Sequence, residues 1–158
     1  MRHSLSLGLV TGLVSALAAC GGDGDDDPYD LTYDCDAETR QEEFVAGMSK
    51  PGESQVLEFK LLSSDPAPPV SGSNVWMLQL NAMAAPNDPI DGATVRVEPY
   101  MPDHKHPAGE PTEVTPDSAP GTYRLDPVDL WMPGLWETTI RVSGSVTDQV
   151  VFRFCLPS

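Results

Sequence analysis

The feature that most constrains this chain is the strict period-two alternation of its apolar runs. It is plainest in the closing stretch QVVFRFCL, where Val150, Phe152, Phe154 and Leu156 fall on one side and Val151, Arg153 and Cys155 on the other. Successive side chains of a strand point to opposite faces, so such a run buries one face and leaves the other wet. The same pattern recurs along the chain. SQVLEFKLL sets Leu57, Phe59 and Leu61 against Glu58 and Lys60. NVWMLQLNA aligns Trp76, Leu78 and Leu80, and ATVRVEPY aligns Val95 and Val97. LWETTIRV aligns Trp136, Thr138, Ile140 and Val142. In GTYRLDPVDLWM the phase set by Tyr123 and Leu125 slips at Pro127 and resumes with Val128, Leu130 and Met132. A one-residue slip beside proline predicts a bulge or bend.

Six strands are clear, and EEFVAGM is expected to add a seventh or a short helix. The 16 prolines lie mostly between the apolar runs, as turn residues do and helix-interior residues do not. DPAPPVSGSN predicts an extended polyproline connection, and APNDPIDG a turn-rich break with Asp91-Gly92 as its turn pair. There is no internal repeat. The fold class expected is all-β: a single immunoglobulin-like antiparallel β-sandwich of about seven strands, over residues 35–158.

The chain opens differently. Arg2 precedes an uncharged, mostly apolar run from Leu5 to Ala19 that ends in LAAC. That run suits an export signal and is shorter than the ~20 residues a membrane-spanning helix needs. The small residues before Cys20 resemble the bacterial lipobox. The resemblance implies a lipoprotein signal peptide over 1–19, lipid on the Cys20 sulfur, and attachment to the membrane. Gly21, where an aspartate favours retention in the inner membrane, points to the outer membrane, facing the periplasm. Residues 20–34, rich in glycine and aspartate, read as a flexible acidic tether. Asp23, Asp25 and Asp27 mimic the start of an EF-hand loop. Its sixth and twelfth positions hold Pro28 and Asp34 instead of glycine and glutamate, which excludes that calcium site.

Cys20 being assigned to lipid, Cys35 and Cys155 remain. An even pair in an exported chain reads as a disulfide. Cys155 points away from the main core, so an N-terminal segment can be stapled across it. The net charge of −15, or −16 without Arg2, repels nucleic acid and anionic lipid heads and favours cations. No catalytic triad, phosphate-binding glycine loop or free Cys-His pair is present, so an enzyme is not expected.

The candidate site is EPYMPDHKHPAG. His104 and His106 stand two apart, so in extended backbone their imidazoles point the same way. Met101 lies just upstream, and Met132 sits in LWMPGLW before a second turn. If both turns share one end of the sandwich, two imidazoles and one or two thioethers surround one ion. Thioether selects Cu(I), and imidazole suits copper and zinc alike. Asp103 is a possible hard ligand for Cu(II) or Zn(II). Against this, histidine in a proline-rich loop is often only solvated. Met132 between Trp131 and Trp136 suits core filling, and Pro133-Gly134 suits a turn with glycine at positive φ.

Taken together, GATVRVEPYMPDHKHPAG and GTYRLDPVDLWMPGLWETTIRV resemble the YtkA-like family, related to FixH-like domains. Its members carry MPxHxHG, a G-x-Y strand opening, and MPGxW. These match here at Met101, Pro102, His104 and His106; at Gly121 and Tyr123; and at Met132, Pro133, Gly134 and Trp136. Pro107 stands where the family has glycine. The resemblance spans about residues 74 to 143. It implies an immunoglobulin-like sandwich in an exported protein, with handling of a copper ion suspected. Two functional readings follow: a copper carrier or buffer using Met101, His104, His106 and Met132, or a non-catalytic module that binds a protein partner in the cell envelope.

Overall fold

The computed structural model describes residues 33–158, and for 85–87 the backbone alone. The expected signal peptide at 1–19, the lipidated Cys20 and most of the tether at 20–34 lie outside the described residues. The compact body takes in Tyr33 and Asp34, which the sequence assigns to the tether. The Tyr33 N–H donates to Ser158 Oγ at 2.8 Å, and a 3-10 turn at Cys35–Ala37 follows at once.

Ten strands follow in order: β1 (Met48–Pro51), β2 (Leu57–Asp65), β3 (Gly72–Ala82), β4 (Ala85–Pro89), β5 (Thr94–Met101), β6 (His106–Pro107), β7 (Glu113–Pro116), β8 (Thr122–Leu130), β9 (Gly134–Ser143) and β10 (Asp148–Leu156). Every pairing is antiparallel. One sheet runs β1-β2-β3-β8-β7, with β4 also on β3; the other runs β10-β9-β5-β6. Lettered as an immunoglobulin-type sandwich, β2, β3, β8 and β7 are A, B, E and D, and β10, β9, β5 and β6 are G, F, C and C′. The expected sandwich of about seven strands is therefore present, extended by the short β1, β4 and β6.

The alternations resolve as the periodicity predicts. Leu57, Phe59, Leu61, Trp76, Leu78, Leu80, Trp136, Ile140 and Phe152 are wholly buried between the sheets. Trp76 of one sheet meets Phe154 of the other edge-on at 5.5 Å, a favourable aromatic arrangement. At Pro127 the pairing of β3 with β8 shifts register between Asn74 and Trp76, and Leu125 and Val128 are both buried across the slip. This bulge lets both halves of β8 face the core.

Two local expectations need correction. APNDPIDG is more than a turn, because its first half forms β4 on β3. EEFVAGM is neither strand nor helix until Met48. It runs instead along the outer edge of β10, and tertiary hydrogen bonds fix it there. The Glu42 N–H donates to the Arg153 carbonyl, and the Glu42 carboxylate accepts from the Arg153 N–H. The Lys50 ammonium reaches the Val151 carbonyl, and the Glu53 N–H the Gln149 carbonyl. Cys35 and Cys155 are bridged, with Cα atoms 5.6 Å apart and a separation of 120 positions in sequence. In the chain-entropy model a loop of that size contributes about 5 kcal/mol at most. The N-terminal segment thus covers one edge of the second sheet from end to end.

Candidate functional site

Met101 ends β5, and the chain turns through 102–105 into β6. The Lys105 N–H donates to the Met101 carbonyl at 2.7 Å, closing one helical turn, and Lys105 takes a positive φ of 59°. This places Met101 and His106 directly opposite each other in the β5–β6 pair. The other relevant turn, 131–133, joins β8 to β9. Trp136 pins it by donating its indole N–H to the Met132 carbonyl at 2.9 Å.

The two turns meet at one pole of the sandwich. The His106 ring stacks on Trp131 at 5.0 Å and meets Trp136 edge-on at 5.9 Å. Gly134 explains part of the MPGxW motif. Its φ is +123°, and a Cβ there would lie 2.6 Å from the Met101 methyl carbon. Only glycine lets the β8–β9 turn close onto Met101. Met101 is wholly buried, whereas Met132 is half-buried against the core. His104 faces solvent, with its ring centre 5.8 Å from that of His106.

His106 is held in one orientation. Its Nδ1 lies 3.0 Å from the Pro107 carbonyl oxygen. A carbonyl only accepts, so Nδ1 is the donor in this bond and Nε2 is left for another partner. That Nε2 is buried and has no partner among the described residues. An unpaired buried acceptor is costly. Metal-ligating histidines share this arrangement, with one nitrogen bonded to a carbonyl and the other left for the metal.

Sequence reasoning misses the groups that restrain Asp103. Arg40 donates from two guanidinium nitrogens to the two Asp103 oxygens, at 2.9 and 2.8 Å. The Tyr33 hydroxyl lies 3.0 Å from the same carboxylate and 2.9 Å from Glu38. Arg40 also binds Glu38 at 2.6 Å. Hydrogen bonding to Arg40 holds Glu38 at about 2 and Asp103 below the usual carboxylate range. Burial, then the bonds to Glu38 and Asp103, push the Tyr33 hydroxyl up to about 12. Arg40 thus occupies both Asp103 oxygens and competes with any cation for that carboxylate. Nothing near Asp103 in sequence signals this, since Tyr33 and Arg40 precede it by 70 and 63 residues.

Among the described residues no three His, Cys, Asp or Glu side chains are grouped as a metal would need. The structure sets His104 beside His106, pairs Met101 with His106 across β5 and β6, and places Met132 in the adjoining turn. Cys35 and Cys155 are occupied with each other.

The YtkA-like family model matches residues 52–141, reaching further upstream than the motifs alone, to the β1–β2 connection. No curated protein and no solved structure matches the chain. The match covers more than half of the chain and encloses both turns of this pole: the chain belongs to the YtkA-like family.

Proposed function

We propose that this is a lipid-anchored domain of the cell envelope that binds one copper ion in its reduced state, for carrying or buffering, without chemistry on a substrate. His106 is the inner ligand through Nε2 and His104 the outer one. Met101 and Met132 supply the thioethers. With metal–nitrogen bonds of about 2.0–2.1 Å, ring centres sit about 3.2 Å from a shared ion, so two imidazoles on it are about 5–6.3 Å apart. The separation of 5.8 Å falls within that range. With Asp103 bound to Arg40, the donors left are imidazole and thioether, the set that suits Cu(I).

The observation that carries this reading is the buried, unpartnered Nε2 of His106, oriented by its bond to Pro107. Titration of Cu(I) into the full chain against a competing chelator tests it. One ion per chain is expected. His106→Ala should weaken binding by about tenfold to a hundredfold or more and His104→Ala by less, since His104 is exposed and no hydrogen bond among the described residues orients its ring. Unchanged affinity in the double histidine variant would remove the site.

A further inference from the structure

The second sheet has two edges, and the chain treats them differently. On β10 the backbone groups pointing outward belong to residues 149, 151 and 153, and each of their carbonyls is bonded by the segment running from Glu42 to Glu53. The other edge is β5, which β6 covers only at Tyr100 and Met101. The Pro99 carbonyl accepts from the Ala108 N–H, so Pro99 points its backbone away from β9. In an antiparallel strand alternate residues share that direction, so Val97 and Val95 do the same. No described residue bonds to the outward N–H and C=O groups of Val95 and Val97.

These four groups open onto space. A cavity of about 340 Å³ lies against Val97, Glu98 and Pro99 and is closed by the 107–111 segment. Another, of about 390 Å³, continues past Val95 and Arg96 and is closed by Pro111, Thr112 and Val114. Together they border β5 from Val95 to Pro99, about 16 Å of strand at ~3.3 Å per residue. The Thr112 hydroxyl, in the wall of this groove, is buried and has no partner among the described residues. Exposed strand edges are usually blocked, and the opposite edge of this sheet is.

We propose that the β5 edge is a docking site for an extended segment of another protein, which adds a strand beside Val95–Pro99. The segment is basic, with apolar side chains at alternate positions. Its backbone pairs with Val95 and Val97, and its apolar side chains face Pro111 and Val114. Its charge is argued from the rim. Glu110 lines the groove, exposed and without an ion-pair partner among the described residues, on a chain of net charge −15. The same charge opposes edge-to-edge pairing with a second copy of the chain. Arg96 is the groove's one unpaired cation among the described residues, and it points to a single acidic position in the segment.

Amide hydrogen exchange on the full chain tests this, with a synthetic peptide of about eight residues alternating lysine and valine as the probe. In the free protein the Val95 and Val97 amides should exchange quickly. Saturating peptide should slow both by about tenfold or more. The same peptide N-methylated at alternate residues keeps its charge but cannot donate to the edge, and should protect neither amide. Val97→Pro, tolerable on an edge strand, should abolish the protection at Val95, and Glu110→Lys should weaken it at both amides without changing the fold. Equal protection by both peptides, or by neither, overturns the proposal. Equal protection by an aspartate–valine peptide overturns the assignment of a basic partner. Protection that appears with rising protein concentration alone assigns the edge to a second copy instead.

Discussion

Replacing Asp148 tests in detail how the two sheets are joined away from the candidate site. Asp148 opens β10 and is almost wholly buried. Its carboxylate accepts four backbone N–H groups, from Ser54, Val56, Leu57 and Gln149, at 2.9–3.0 Å. Three of them belong to the stretch that leads into β2 of the other sheet. A Cβ on Gly52 would lie 2.2 Å from the carboxylate, so that turn is shaped around the aspartate. Hydrogen bonds to a charged group contribute about 1.5–3 kcal/mol each, offset here by the cost of burying the carboxylate. Water replaces the bonds at exposed Ser54 and Val56, but the buried Leu57 N–H is left unpaired at a cost of about 1–3 kcal/mol. Asp148→Ala is therefore expected to lose about 3–5 kcal/mol in urea unfolding at neutral pH, and roughly 10–20 °C in melting temperature.

The pH dependence of this loss follows from the ionisation of Asp148. Burial opposes its ionisation, but the four N–H donors outweigh it and lower its pKa from the ordinary value. Its contribution is present in full above the unfolded aspartate value of about 3.9 and is lost as pH falls through the folded value. The gap in stability between the native chain and Asp148→Asn should then narrow below about pH 4. A loss under about 1 kcal/mol in Asp148→Ala, or a gap to Asn that stays constant down to the acid limit of folding, would refute the role given to this carboxylate.

Other consequences can be checked as directly. Gly134→Ala combines a positive φ with a clash against the Met101 methyl, and should cost about 2–4 kcal/mol while loosening Cu(I) binding; an unaffected variant would show that Met101 does not rest on that turn. Arg40→Ala releases the Asp103 carboxylate beside His104, and should raise affinity for Zn(II) relative to Cu(I) in parallel titrations; an unchanged preference would mean that Asp103 has no influence on the site. Cys20→Ser should move the protein from the membrane fraction to the soluble one; continued membrane association would remove the lipid anchor.

Much of the sandwich was legible because burial between two sheets imposes a period of two, and Leu57 to Leu61, Trp76 to Leu80 and Val150 to Leu156 keep it without error. The slip at Pro127 was readable for the same reason. Segments whose conformation depends on distant partners were not. Residues 42–47 carry no alternation because distant contacts hold them one by one: the Glu42 bonds to Arg153, Phe44 edge-on against Phe154, and the Gly47 N–H on the Leu61 carbonyl. β4 and β6 are too short to show a period. At the candidate site the donor types and the meeting of the two turns could be expected from Met101, His104, His106 and Met132. The inequality of the histidines could not, since it arises from the stacking of His106 on Trp131 and its bond to Pro107. Nor could the pairing of Asp103 with Arg40, which depends on a segment stapled by Cys35.

The central claim is that nitrogen and sulfur donors from two turns hold one ion at this pole. X-ray absorption at the copper edge of the Cu(I)-loaded full chain tests it most directly. Nitrogen scatterers at about 2.0 Å together with sulfur at about 2.3 Å are predicted, with the sulfur signal halved in Met132→Leu and lost when Met101→Leu is added. A first shell of nitrogen and oxygen alone, unaltered by either methionine substitution, would contradict it.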